Sequence, residues 1–323
     1  MVGKSNKYCY HTFARMPLLS VIVPIYNAAD TITACIESIR EQTLTDIQII
    51  LVDDGSTDGS AQVIDRHAAV DVRIRAIHQT NCGRTEARAA GVRMATTEWV
   101  TFVDADDTLP DDALEKLFSK ASSEVDIVLG NAHLLPNESR DQIPMRAFRH
   151  LAVRGEGTIG LPWGSLYRRS SLPHDAFDLP REIAVGEDYI FWLRLVFSSD
   201  RPVNTGYERV YTKGPDHSNI RWTADYAALV DCYRIAAIPQ QERKDYMADV
   251  TADRLTNLFT VAIHQPRRHW QNSPFYRQTM ADIRQYKITL PLKKRLFLRL
   301  PARWLRRAYS LLGNLIFFLK NRL

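Results

Sequence analysis

Between residues 18 and about 130 the chain repeats one pattern: a short apolar run, a turn, then an amphipathic stretch of helical period. That alternation leaves few folds open, because successive β-α-β units form a mostly parallel sheet with helices on both faces. Residues 18–25 are apolar apart from Ser20 and Pro24, which suits a strand buried on both sides. Asp30 is placed to cap a helix whose apolar residues Ile32, Cys35, Ile36 and Ile39 recur at three and four. Residues 47–52 and 73–78 read as the next two strands, with a helix over 60–69. A helix over 85–95, a strand over 99–103, a helix over 111–122 and a strand over 125–129 follow. The expected fold class is α/β, a doubly wound, mostly parallel sheet followed by a helical C-terminal region.

In such a sheet, ligands bind beyond the carboxyl ends of the strands. The acids sit there: Asp53 and Asp54 after one strand, and Asp104, Asp106 and Asp107 after another. No GxGxxG follows the first strand and no P-loop occurs, which argues against dinucleotide or ATP cradling. Residues 131–186 are rich in Pro and Gly and read as irregular segments around a site. From about residue 223 the pattern is helical with no further βαβ unit. The four cysteines show neither CxxC nor metal-ligand spacing, so reduced, mostly buried thiols are expected.

Five motifs in order then resemble the glycosyltransferase family 2 pattern on a GT-A fold. They are SVIVPIYN at 20–27, VDDGSTD at 52–58, NCG at 81–83 with EARAAG at 86–91, WVTFVDADD at 99–107, and GEDYIFWLR at 186–194. The resemblance covers roughly residues 17–220 and implies an inverting, non-processive transferase using a nucleotide-sugar donor, chiefly a UDP-sugar. By resemblance Pro24 and Tyr26 line the base pocket, Asp54 or Asp53 accepts from the uracil imide, and Arg88 lies beside the donor phosphates or base. Arg84 is the weaker arginine candidate.

The chemistry accounts for the acids. A departing diphosphate gathers negative charge, and a divalent metal supplies Lewis-acid stabilisation. Hard cations such as Mn²⁺ or Mg²⁺ need a few carboxylate oxygens with positions left open for phosphate. The resemblance makes Asp106 the direct ligand and sets Asp104 on the ribose or, through water, on the metal. It adds His217 as a further candidate ligand. Inversion needs a base opposite the leaving group; the resemblance gives that part to Asp188, with Glu187 in support. Trp163 resembles an acceptor-side ring that stacks on a sugar. The motif also departs from the family, reading Ala-Arg-Ala-Ala-Gly where Ala-Arg-Asn-x-Gly is common.

Charge is placed unevenly. Of 42 Lys and Arg, 11 follow Asp282, the last acidic residue, leaving 31 basic against 37 acidic residues before it. After Pro301, Leu305, Tyr309, Leu312, Ile316 and Leu319 form an apolar seam, with Arg303, Arg306 and Arg307 opposite. A helix with a wide apolar face and a basic one lies in a membrane interface. The tail, from about 291 to 323, is therefore expected on an anionic membrane surface and not on nucleic acid.

The expected organisation is a polar extension over 1–16, a GT-A domain over 17–220 and a helical region over 221–323. Within the GT-A domain, a nucleotide-binding half runs to about 130 and an acceptor half follows. Met16 is a second candidate start, and the N-terminus has no apolar signal-peptide core. The expected activity is metal-assisted sugar transfer to a glycan or lipid-linked acceptor, peripheral at the cytoplasmic membrane face. The chain is compatible with a homo-oligomer. Two rival readings have their own signatures. A sugar-1-phosphate nucleotidyltransferase would carry a Gly-rich phosphate loop where residues 24–27 read Pro-Ile-Tyr-Asn, and a non-catalytic scaffold would be free to lose Asp106 and Asp188.

Overall fold

The computed structural model describes residues 16–131, 141–155, 161–214, 222–290 and 292–300. Eight strands form one sheet: β1 (Leu19–Ile25), β2 (Ile47–Asp53), β3 (Ile74–His78), β4 (Trp99–Phe102), β5 (Ile127–Leu129), β6 (Gln142–Ile143), β7 (Ser165–Arg168) and β8 (Val203–Thr205). Their order is β3-β2-β1-β4-β7-β5-β8-β6. The first four are parallel to one another, β7 runs antiparallel between β4 and β5, and β6 is antiparallel to β8. The strand order reverses at β1, which β2 and β4 flank. Such a switch point opens a crevice at the carboxyl ends of the strands.

Alternation along β1 sorts the two layers. Leu19, Val21, Val23 and Ile25 join one core with α1 (Ile32–Arg40), α2 (Ser60–Val70) and α4 (Ala113–Phe118). Ile22 faces the other core, beneath α3 (Arg84–Met94), α5 (Met145–Arg154) and α6 (Glu187–Ser198). Alternate side chains of a strand point to opposite faces, so both faces of the sheet are covered, as the alternation predicts. Gly91 lets α3 lie close on β1, since a Cβ there would stand 2.3 Å from Ile22 Cγ2.

Several local expectations need correction. Thr31, not Asp30, occupies the N-cap of α1, without a side-chain capping bond. The fourth helix is shorter than its periodicity suggests. The Pro- and Gly-rich stretch holds α5, β6 and β7 besides its turns, because Phe148, Ala152 and Val153 have a core to fill. Of the described cysteines only Cys35 is buried, whereas Cys82 and Cys232 are exposed; all three are free.

The C-terminal region is helical, with α7 (Ala224–Ala237), α8 (Arg243–His264), α9 (Arg267–Trp270), α10 (Pro274–Gln285) and α11 (Leu292–Arg299). Thr223 and Ser273 cap α7 and α10 by accepting from the amides of Tyr226 and Tyr276. Leu255, Leu258, Val261, Trp270 and Phe275 form its core. The basic tail expected from about 291 begins as α11, whose Phe297 is buried edge-on against Phe259 at 5.4 Å, so this first helix packs on its own domain. Residues 301–323, which carry the apolar seam, lie outside the described residues, as do the masked residues of the N-terminal extension. Among the described residues no helix is long and apolar enough to cross a membrane.

Candidate active site

β1 and β2 end side by side, and their loops are stitched together. Asn27, at φ 51°, accepts from the Thr57 amide at 2.8 Å and donates its own amide to Ser56 Oγ at 3.0 Å. Pro24 is buried in β1, and Tyr26 stands at the rim, 52% exposed. Asp53, the last residue of β2, and Asp54 after it are both buried. Asp53 accepts from the Ser56 amide at 3.0 Å and from His78 Nδ1 at 3.1 Å. Burial alone would raise its pKa, but the bonds from Ser56 and His78 outweigh burial and hold it below the ordinary carboxylate value. Asp54 Oδ1 accepts from Gln79 Nε2 and the Cys82 amide, and Oδ2 accepts from the Gly83 amide, each at 2.8 Å. The turn chemistry of this motif is therefore real, and one acceptor position on Asp54 Oδ2 is left over.

The second acidic cluster follows β4. Asp107 is buried; burial raises its pKa, against hydrogen bonds from the Tyr211 hydroxyl at 2.6 Å and the Gly214 amide at 2.5 Å. The Tyr211 hydroxyl also accepts from the Asp104 amide at 3.0 Å, and its ring stacks on Trp163 at 4.2 Å. Gly214 admits no side chain, since a Cβ would stand 2.1 Å from the Asp106 carbonyl oxygen. Asp107 is thus a buttress. Tyr211, which carried no functional assignment in the sequence, is what holds the acidic loop in shape. Its only signal was its place in the polar run 211–216. Trp163 has one ring face committed to Tyr211.

Asp104 and Asp106 remain partly exposed at the strand end. Asp106 makes no side-chain hydrogen bond among the described residues, and Asp104 uses only Oδ1. No group of three or more metal-binding side chains occurs among the described residues. The donor set is two carboxylates with free oxygens, which suits a hard cation whose other ligands come from a bound diphosphate. His217 lies outside the described residues.

The resemblance sets Arg88 beside the donor phosphates or base, but here its guanidinium serves two carboxylates. Arg88 is 1% exposed; Nη1 donates to Asp188 Oδ1 at 2.5 Å and Nη2 to Asp104 Oδ1 at 2.9 Å. Among the described residues its Nε–H has no partner. Burial opposes its charge, yet Asp188 and Asp104 more than compensate and raise its pKa above the ordinary arginine value. Asp188, the second residue of α6, makes no hydrogen bond through Oδ2 among the described residues. Glu187, the first, is 5% exposed and pairs with Arg84 at 3.3 Å. Burial first, then the charge of Asp188, pushes the Glu187 carboxyl up to about 7. Arg88 therefore brings together Asp104, two residues before Asp106, and Asp188, next to Glu187.

Comparison with known proteins places the fold and the family. Residues 20–180 match the sequence profile of the family described as Glycosyl transferase family 2. EpsJ of Bacillus subtilis, an uncharacterized glycosyltransferase, is 34% identical over 200 residues, 58% of this chain and 58% of that protein. The chain thus spans little more than half the length of the first curated relatives it matches. Among solved structures, Staphylococcus aureus TarS 1–349 in complex with UDP superposes with TM-score 0.58 at 17% identity, covering 84% of this chain and 89% of that one. The mannosyltransferase PcManGT of Pyrobaculum calidifontis, in complex with GDP-Man and Mn²⁺, does so with TM-score 0.54 at 18% identity, covering 93% and 88%. The shared profile over the motif-bearing half, with the GT-A fold around it, means that this chain belongs to glycosyl transferase family 2.

Proposed function

We propose that the chain is an inverting glycosyltransferase that moves a sugar from a nucleotide-diphosphate donor, in first place a UDP-sugar, to a hydroxyl of a glycan or lipid-linked acceptor. The observation that carries this reading is Arg88, which joins an acid of the donor side, Asp104, to one of the acceptor side, Asp188. It takes one oxygen of each and leaves the other for a ligand. Asp188 Oδ2 accepts the proton of the attacking hydroxyl as the new bond to the anomeric carbon forms and the bond to the diphosphate breaks, so the nucleoside diphosphate leaves from the opposite face. Asp106 and Asp104 would hold a Mn²⁺ or Mg²⁺ ion, which supplies charge to the diphosphate when bound. Glu187, titrating near neutrality, orients Asp188 or an acceptor hydroxyl. Tyr26 and Pro24 receive the base, with Asp53 and Asp54 shaping the pocket and the free position on Asp54 Oδ2 facing an imide N–H.

The relatives support the class, and TarS and PcManGT are named in complexes with UDP and with GDP-Man and Mn²⁺. The basic tail supports work at an anionic leaflet, the cytoplasmic membrane face, where the acceptor cannot diffuse away. Thermal-shift measurements with UDP, GDP, CDP and ADP, with and without Mn²⁺, followed by hydrolysis of the matching nucleotide sugars, test the proposal. A shift larger with nucleotide and metal together than with either alone is expected, with slow hydrolysis of that nucleotide's sugars. A chain that binds none of them is not a transferase of this kind.

A further inference from the structure

Beside the reactive cleft, a cavity of about 300 Å³ opens where α6 meets α7 and α8. One wall is Gly186, the residue before Glu187 and Asp188; the others include Tyr189, Trp222, Arg234, Asp253 and Asn257. That volume is at the small end of the range in which ligands are enclosed. Its polar groups come from deep in the fold. Arg234, 3% exposed, lies over the Tyr189 ring at 4.2 Å and pairs with Asp253 Oδ2, which also accepts from Asn257 Nδ2 at 2.8 Å. Among the described residues the Nε–H of Arg234 has no partner and Asp253 Oδ1 accepts no hydrogen bond. A donor and an acceptor thus stay unused in a wall that also carries aromatic rings, and buried polar groups are normally satisfied.

The charge says what fits. The charged side chains that line the cavity are Arg234 and Asp253, one positive group paired with one negative. There is no surplus positive charge to draw in a phosphate. Alternating donors and acceptors beside aromatic faces instead match a ring with hydroxyls on its edge and C–H groups on its faces. We propose that this cavity is a subsite for one neutral hexopyranose unit of the acceptor, next to the unit bearing the attacked hydroxyl. The proposal rests on the sugar-transfer reading and narrows it: the acceptor carries at least two sugar units.

Saturation-transfer NMR on the full chain with UDP and Mn²⁺ present tests this. The probes are the methyl α- and β-glycosides of glucose, galactose, mannose and N-acetylglucosamine. At least one should give a saturable signal, lost in Asn257→Phe, which fills the cavity, and weakened about threefold or more in Asn257→Ala through loss of the amide. Both variants should keep the wild-type shift with UDP and Mn²⁺; if Asn257→Phe does not, Asn257→Ala decides alone. No saturable signal from any glycoside, or a signal indifferent to these substitutions, overturns the subsite. UDP-sugar hydrolysis, read in parallel, separates the two failures: hydrolysis without glycoside binding sinks the subsite, whereas neither one sinks the function.

Discussion

Arg88 and Asp188 stand 100 positions apart in sequence, yet Nη1 of one lies 2.5 Å from Oδ1 of the other, in a cleft where the arginine is almost wholly buried. Because Nη2 of the same group holds Asp104, the spacing between donor and acceptor sides depends on one planar fork. A lysine keeps the charge but cannot hold two carboxylates in fixed directions. Arg88→Lys is expected to lower the transfer rate on the order of 100-fold, as misplacement of reacting groups does, while the Kd for UDP changes little. Steady-state kinetics beside calorimetric UDP titration would check this; unchanged kcat would mean that the fork positions nothing.

Asp188→Asn keeps size and hydrogen bonding but cannot take a proton. Transfer should fall by a factor of about 100 to 10,000, the usual worth of general base catalysis, with nucleotide binding retained. A fully active variant would remove Asp188 as the base.

Among the described residues Asp106 has no partner for its carboxylate, so its removal is expected to cost the fold little and the ligand much. Asp106→Asn should keep the melting temperature of the free chain within a degree or two, in line with small effects at unpartnered sites. It should lose the extra stabilisation that Mn²⁺ adds to UDP. Differential scanning fluorimetry with a Mn²⁺ series reads both, and an undiminished Mn²⁺ effect would exclude Asp106 from the metal site.

Glu187 imposes a pH dependence whose sign follows from its raised carboxyl. Its ordinary value is 4.5 and it titrates near 7 in the fold. The folded state therefore holds a proton that the unfolded chain has already lost between those values. This contribution is complete below 4.5 and wanes as pH rises through 7. Wild type should melt lower at pH 8 than at pH 5 relative to Glu187→Gln, which keeps the neutral form at every pH. Parallel melting curves across that window would refute the assignment.

Truncation after Leu300 leaves α11 docked through Phe297 and removes only the apolar seam and its arginines. The shortened chain should keep its melting temperature and lose flotation with vesicles containing anionic lipid, since each basic residue near such a surface contributes about 1 kcal/mol. Undiminished flotation would move the membrane contact elsewhere.

Periodicity alone announced β1 to β5 and the helices between them, because a strand buried on both faces and a helix buried on one leave opposite marks on a sequence. Short-range spacing likewise marked the strand ends where Asp53, Asp54, Asp104 and Asp106 gather. What no local pattern held was the partner of each acid. That Asp107 is a buttress to Tyr211, that Asp54 folds the 79–83 loop, and that Arg88 joins Asp104 with Asp188 depend on contacts across 16 to 104 positions. Such contacts are set when helix packs on sheet. The helix α5 in the Pro- and Gly-rich stretch was hidden for the same reason: its side chains answer to a core assembled from the whole fold, not to the residues beside them.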